Sequence, residues 1–157
     1  MRPVMEATQP PSVPAVLELL AAPQDGRLLA FGGPTCETAM DIAVQRPDLL
    51  IIVCDTTSEL VRSISSRMVA EKLDNIVIGD THAGPPVDRV LAIDTLGLLG
   101  PLEFNAIRRA LLPGGYAVFI EHGTDGAATI EKLKTLGFEV ADLIESPIPD
   151  RYVIRGR

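Results

Sequence analysis

Short apolar runs alternate with helix-like segments along most of this chain. From residue 27 onward the apolar runs cover residues 28–31, 49–53, 76–78, 90–93 and 116–120. Helix-like segments lie between and after them, at residues 36–45, 58–73, 102–111 and 126–136. Runs that are apolar throughout are typical of strands buried on both faces, as in a parallel sheet covered by helices. The pattern therefore predicts an α/β domain with five parallel strands.

Residue types at the segment ends support these helices. A short helix is predicted to begin near Pro14 and to stop near Pro23, because proline suits the first turn and breaks a helix interior. Thr56 and Glu59 have the spacing of a capping box at the start of the segment 58–73. Pro101 is expected at or just before the first position of the following helix.

The C-terminal part of the chain follows a different pattern. Two strand-like segments, residues 139–145 and 151–155, are joined by only five residues. A parallel crossover needs a dozen or more residues, so these two segments should pair antiparallel. The sheet is then expected to contain five parallel strands and a C-terminal antiparallel pair.

Length and composition limit the domain organisation and the partners. The 157 residues suit one domain, with residues 1–12 as a loose arm and residues 13–157 as a single α/β domain. The net charge of −7 argues against a nucleic-acid partner. No apolar run approaches the ~20 residues of a membrane span. With no signal-peptide pattern and only two cysteines, a cytoplasmic location is expected.

Candidate ligand-binding residues follow the predicted strands. Parallel α/β sheets bind ligands at the carboxyl ends of their strands. Gly32 and Gly33 follow the first strand, where backbone can approach a ligand and a helix N-terminus favours negative charge. Asp55 comes 23 residues after Gly32, at a distance typical of an acid that binds ribose hydroxyls. Asp80 follows the third strand. Each also has a structural interpretation: the glycines could form a simple strand-to-helix turn, Asp55 could cap the following helix, and Asp80 could be a turn residue.

Two further residues are candidates for acid–base chemistry. Asp94 follows the fourth strand, and His122 follows the fifth beside Glu121. Asp94 could instead cap the next segment, and His122 could belong to a solvated loop. The two cysteines and two histidines of the chain lack the spacing of metal ligands, so no metal site is expected.

The order of these features resembles the class I S-adenosylmethionine-dependent methyltransferases, from residue 27 to residue 157. The segment 27–36 stands where that family has its glycine-rich first motif, and the segment 52–55 resembles its second strand and ribose-binding acid. The segments 75–80 and 87–94 are similar to its third motif and fourth strand. The Leu-x-Pro-Gly-Gly turn within residues 109–120 is the closest match.

The resemblance implies a fold, a cofactor and a set of residues. The fold would be the three-layer Rossmann-like methyltransferase fold, with a mostly parallel sheet and a C-terminal antiparallel strand pair. S-adenosylmethionine would be the cofactor and a small molecule the methyl acceptor. Gly32, Gly33, Asp55 and Asp80 would bind the cofactor. The segments that cover the substrate in this family are short here, so either the N-terminal arm and first helix or a homodimer or partner subunit is expected to cover the pocket.

The first motif departs from the family pattern at three positions. Ala30 stands where the family usually has an acid, and Pro34 and Cys36 replace glycines. These changes reduce the expected cofactor contacts. A catalytically inactive methyltransferase-like binding, regulatory or assembly module is therefore the alternative. A nicotinamide-binding Rossmann protein is a third hypothesis, although no G-x-G-x-x-G occurs. Cys36 and Cys54 could form a redox pair or be buried structural residues.

Overall fold

The computed structural model describes residues 11–54, 57–79, 86–123 and 126–157. The helices are α1 Val13–Leu20, α2 Cys36–Gln45, α3 Ser58–Ala70, α4 Pro101–Ala110 and α5 Gly126–Thr135. The strands are β1 Arg27–Phe31, β2 Leu50–Cys54, β3 Ile76–Ile78, β4 Val87–Ile93, β5 Leu111–His122, β6 Ala141–Ile144 and β7 Arg151–Gly156. The predicted alternation of strands and helices is confirmed, and helix α4 begins at Pro101 as expected.

All seven strands form one sheet in the order β3-β2-β1-β4-β5-β7-β6. Strands β1 to β5 are parallel to one another. Strand β7 is antiparallel to both β5 and β6, so β6 runs parallel to the first five. The antiparallel pairing of the last two strands is confirmed. The expected five parallel strands are confirmed in β1 to β5, and β7 lies between β5 and β6, which leaves β6 at the sheet edge.

Helices cover both faces of the sheet, which gives three layers. On one face, α1, α2 and α3 pack against the sheet through apolar side chains that include Val16, Ile42 and Ile64. On the other face, α4 and α5 form a second core with the sheet. The second core contains three aromatic rings, Phe104, Phe119 and Phe138, whose centroids are 5.9–6.4 Å apart. The predicted doubly covered α/β sheet is confirmed.

The C-terminus of helix α1 is hydrogen-bonded to side chains of β4 and β5. The Tyr116 hydroxyl donates to the Leu20 carbonyl at 2.8 Å, and Arg89 Nε donates to the same oxygen at 2.6 Å. The Arg89 guanidinium carbon also lies 3.9 Å from the centre of the Tyr116 ring. At the other end, the Ser12 side chain accepts from the Ala15 N–H. Residues 1–10 of the predicted N-terminal arm lie outside the described residues.

Two local predictions differ from the structure. The N-cap of α3 is Thr57, whose side chain accepts from the Leu60 N–H, so the predicted capping box starting at Thr56 is wrong. Strand β5 begins at Leu111, five residues before the predicted 116. The Pro-Gly-Gly sequence indicated a turn, but it lies in an irregular stretch of the strand where the register with β4 shifts. Gly115 is required there, because a Cβ would lie 2.7 Å from the Asp88 carbonyl oxygen.

Candidate functional site

The turn after β1 places the Gly32 backbone directly against the end of β4. Gly32 has φ 97° and ψ 152°, a region that is essentially restricted to glycine. A Cβ at this position would lie 2.2 Å from Thr95 Cγ2. The Gly32 N–H also donates to the Cys54 carbonyl at the end of β2. Gly32 thus joins the carboxyl ends of three strands, and a larger residue does not fit in this conformation.

The next residues enter α2 through a short 3₁₀ turn, Gly33–Thr35. The buried Thr35 hydroxyl donates to the Phe31 carbonyl at 2.8 Å and accepts from the Ile93 N–H at 2.9 Å, so it connects the ends of β1 and β4. Pro34 occupies the first turn, where a backbone N–H has no partner within the helix.

The side chain of Cys36 does not project from this turn. The thiol donates to the Gly32 carbonyl at 3.5 Å, and the residue is buried in the core cluster that includes α2 and α3. The replacement of a family glycine by cysteine therefore leaves the outer surface of the turn unobstructed by the thiol. Cys54 is also buried, in the core cluster on the opposite face of the sheet, and both cysteines contribute to packing.

Asp94 and His122 lie together at the carboxyl ends of β4 and β5. Asp94 Oδ1 accepts from Arg151 Nη1 at 2.9 Å, and Asp94 Oδ2 lies 3.4 Å from His122 Nε2. The side chains are 3% exposed for Arg151, 27% for Asp94 and 42% for His122. The cluster therefore extends from a buried cation through a carboxylate to a half-exposed imidazole. Asp94 has a φ of 53°, a conformation that aspartate tolerates better than most residues.

Sheet pairing accounts for this cluster. In the antiparallel ladder of β5 and β7, His122 is directly opposite Arg151, and opposite residues project from the same face. The Asp94 N–H donates to the Ile120 carbonyl at 3.0 Å, which extends the pairing of β4 with β5 by one residue. Sequence reasoning missed Arg151, because nothing local indicates that β7 would lie beside β5.

Glu121 lies next to this cluster, and its side chain hydrogen-bonds to the backbone of Thr95. Its Oε2 accepts from the Thr95 N–H at 3.1 Å. Burial, followed by the negative charge of Asp94, raises the pKa of Glu121, while backbone hydrogen bonds and Arg151 oppose the rise. The carboxyl group therefore keeps its proton to a higher pH than an exposed glutamate does.

Thr95 is the second residue that sequence reasoning missed. It is 1% exposed, and among the described residues its hydroxyl has no hydrogen-bond partner. The Thr95 Oγ1 atom lies 3.6 Å from the place that a Cβ on Gly32 would take. A buried hydroxyl without a partner costs free energy, so Thr95 Oγ1 is a candidate for binding a ligand group, a water molecule or an ion.

The structure thus brings four of the predicted site residues to one edge of the sheet. The residues that lie at the carboxyl ends of the central strands are Gly32, Gly33, Asp94 and His122. The predicted cofactor-binding acids Asp55 and Asp80 lie outside the described residues. Within the described ranges, no group of three or more His, Cys, Asp or Glu side chains could hold a metal ion. No described helix combines the length and apolar character needed to cross a membrane.

Known structures share this arrangement of strands and helices. No family model matches the chain, and no curated protein matches it either. It aligns over 99% of its length with 93% of a SAM-dependent methyltransferase from Aquifex aeolicus, with 13% identity and a TM-score of 0.77. It aligns over 92% of its length with 86% of a precorrin-6y C5,15-methyltransferase from Geobacter metallireducens, with 15% identity and a TM-score of 0.70. The fold is the Rossmann-like fold of class I methyltransferases.

A third match carries a ligand in its name. The structure described as PigF with SAH is 15% identical, with a TM-score of 0.67, and the alignment covers 83% of this chain and 50% of that one.

The strand order also differs from the order 3-2-1-4-5-6 of dinucleotide-binding Rossmann folds, because β7 is inserted between β5 and β6. The fold expected from the sequence motifs is therefore confirmed.

Proposed function

We propose that this protein is an S-adenosylmethionine-dependent methyltransferase that acts on a small molecule. The observation that carries the proposal is the cluster of Asp94, His122 and Arg151 at the carboxyl edge of a methyltransferase-type sheet. The Gly32 turn lies at the same edge and packs against Thr95, the residue after Asp94. A ligand-binding turn and acid–base groups at one edge are what a group-transfer enzyme of this fold requires.

The residues of the first turn fit the cofactor. The turn from Gly32 to Thr35 directs the Cys36 thiol into the core, so the backbone of Gly32 and Gly33 can approach a bound ligand. The buried Thr95 hydroxyl, which has no partner among the described residues, provides a polar group beneath the turn. When bound, S-adenosylmethionine supplies a methyl group on a sulfonium centre. Asp55 and Asp80, which follow β2 and β3 in the chain, would hold its ribose and adenine.

The chemistry left to the protein is orientation and proton transfer. Methyl transfer to a hydroxyl or amine leaves a proton that a nearby base must accept. His122 is the most exposed member of the cluster, so its imidazole can reach an acceptor molecule. Asp94 lies against Nε2 of that ring and stabilises the imidazolium that forms. Much of the rate enhancement would come from holding acceptor and methyl donor in line.

The charge of the site favours particular acceptors. Two carboxyl groups, Asp94 and Glu121, stand beside a single guanidinium, Arg151, and the whole chain has a net charge of −7. Neutral or cationic small molecules would enter this site more easily than phosphorylated ones. Nucleic acids would be repelled.

A binding module without catalysis is the second candidate. It is favoured by the Thr95 methyl group, which fills the space beside Gly32 and so leaves no room there for a ligand atom. It is also favoured by Ala30, which is fully buried in the core and offers no carboxylate. Such a module would not need the Asp94–His122 pair, whereas an enzyme would.

Calorimetric titration tests the cofactor before any acceptor is known. The protein would be titrated separately with S-adenosylmethionine, S-adenosylhomocysteine and NADH. We expect micromolar binding of the first two, lost in Asp55→Ala and kept in Asp74→Ala, which changes an exposed aspartate just before β3 at the opposite edge. Absence of heat at millimolar ligand from folded protein would refute the proposal and favour the binding module. Binding of NADH alone would indicate a nicotinamide protein.

An acceptor screen then tests catalysis. The release of S-adenosylhomocysteine would be followed with neutral, cationic and phosphorylated small molecules that carry hydroxyl or amine groups. We expect turnover with neutral or cationic acceptors and its loss in His122→Gln. Equal cofactor binding without turnover of any acceptor would favour the module.

A further inference from the structure

Arg151 places a positive charge in the interior at the start of β7. Its side chain is only 3% exposed, and Nη1 donates to Asp94 Oδ1 at 2.9 Å. A guanidinium remains charged at any physiological pH, and burying it without a carboxylate would be costly. The interaction with Asp94 is therefore a fixed feature of the folded protein rather than a surface contact that opens and closes.

The two carboxylate oxygens of Asp94 serve different neighbours. Oδ1 is held by the buried Arg151, and Oδ2 is 3.4 Å from Nε2 of His122. With Oδ1 bound to the guanidinium, rotation of the carboxylate is restricted. Its second oxygen is then directed at the imidazole, which has 42% of its surface exposed.

The backbone around Arg151 restrains it further. Arg151 is opposite His122 in the β5–β7 ladder, and one residue beyond this pair the Gly123 N–H donates to the Asp150 carbonyl at 3.4 Å. The guanidinium and the imidazole therefore start from paired positions on two hydrogen-bonded strands. Asp94 directly follows a third strand, β4, and connects them.

We propose that Arg151 is a positioning residue, which holds the Asp94 carboxylate against Nε2 of His122. The proposal rests on the proposed function in one respect, that His122 is the base for the methyl acceptor. A neutral imidazole bears its proton on one nitrogen and a lone pair on the other. With Asp94 held against Nε2, the proton stays on Nε2, and Nδ1 is the nitrogen that accepts the proton of the acceptor.

Positioning and charge neutralisation predict opposite effects when Arg151 is removed. If Arg151 holds Asp94 in place, its loss releases the carboxylate, and the preference of His122 for the Nε2–H tautomer falls. If Arg151 only offsets the charge of Asp94, its loss strengthens the attraction between Asp94 and the Nε2 proton, and the preference rises. The sign of the change therefore separates the two roles.

The experiment is an NMR measurement of the ring nitrogens of ¹⁵N-histidine-labelled protein at alkaline pH, where imidazoles are neutral. The chain has only two histidines, and His122→Gln assigns the signals. We expect the Nε2–H tautomer to dominate in the wild type. In Arg151→Met it should fall to the ratio of a free histidine side chain, and Arg151→Lys should restore part of the preference.

Two sets of variants complete the test. Arg155→Met removes an exposed arginine four residues along the same strand, and it should leave the His122 signals unchanged. Asp94→Asn should lower the preference as far as Arg151→Met does, and the double variant should add nothing, because both act on one contact. Circular dichroism confirms that each variant is folded.

The outcomes separate this proposal from the proposed function. An unchanged or increased Nε2–H preference in folded Arg151→Met or Arg151→Lys overturns the positioning role, whatever the protein catalyses. The measurement needs neither cofactor nor acceptor, so a failed cofactor titration would leave its result intact. A confirmed positioning role without cofactor binding would mean that the pair is held for a different reaction.

Discussion

Replacing Gly32 by alanine should strongly destabilise the protein, for two reasons that can be measured separately. The first is backbone strain, because Gly32 has φ 97° and ψ 152°; a residue held in such a region costs about 1–3 kcal/mol. The second is steric, because the new Cβ would lie 2.2 Å from Thr95 Cγ2. Overpacking of this kind costs about 1–3 kcal/mol. Together Gly32→Ala should lower the free energy of unfolding by about 2–6 kcal/mol.

A second substitution separates strain from steric overlap. Thr95→Ser removes the methyl group that the new Cβ would meet, and by itself it should cost about 1 kcal/mol, as for other single buried methyl groups. In the double variant Gly32→Ala/Thr95→Ser the overlap is relieved and the backbone strain remains. The double variant should therefore be more stable than Gly32→Ala alone, which is a favourable coupling between the two positions.

The assay is urea unfolding followed by far-ultraviolet circular dichroism, since the chain has no tryptophan for fluorescence. Gly97→Ala is the matched control, because a Cβ there meets no described atom within 4 Å beyond its chain neighbours. Gly97→Ala should change the free energy of unfolding by no more than about 0.5 kcal/mol. If Gly32→Ala were as stable as this control, or if Thr95→Ser gave no rescue, the reasoning from the Gly32–Thr95 contact would be wrong.

Three further predictions concern groups outside this turn. The folded-state pKa of Glu121 is raised, so the stability that its protonated form gives the fold is lost as pH rises from the ordinary glutamate range through that raised pKa. In thermal melts, the Tm of Glu121→Gln should therefore increase relative to that of the wild type as pH rises. A Tm difference that stays constant with pH would contradict this. The hydrogen bond from Arg46 and, to a smaller extent, that from the Asp25 N–H hold the pKa of Asp48 well below its usual range. Asp48→Asn should therefore lower Tm at neutral pH. The Tm difference from the wild type should disappear in strong acid and persist in mild base. Tyr116→Phe removes the hydroxyl that binds Leu20 and should cost about 1 kcal/mol in urea unfolding; no loss would show that α1 does not depend on this bond.

Much of the fold was predictable because its signals are local. The apolar runs at 28–31 and 49–53 became β1 and β2 with boundaries shifted by one residue, since strands buried on both faces must be apolar throughout. The pairing of the last two strands followed from the length of their loop. The start of β5 was not predictable, because Pro-Gly-Gly is typical of a turn and only the shifted register with β4 keeps it in the strand.

Some features of the candidate site were likewise predictable from the sequence, and others were decided by tertiary packing. The chain by itself determined that Gly32, Asp94 and His122 follow buried strands, and the carboxyl ends of parallel strands lie at one edge. Only the tertiary structure decided that Arg151 stands opposite His122 and that the Thr95 methyl group lies against Gly32. Arg151 and Asp94 are 57 residues apart. Their contact depends on which side of β5 the last strand joins, and that choice is made by the packing of the whole sheet rather than by the residues near either one.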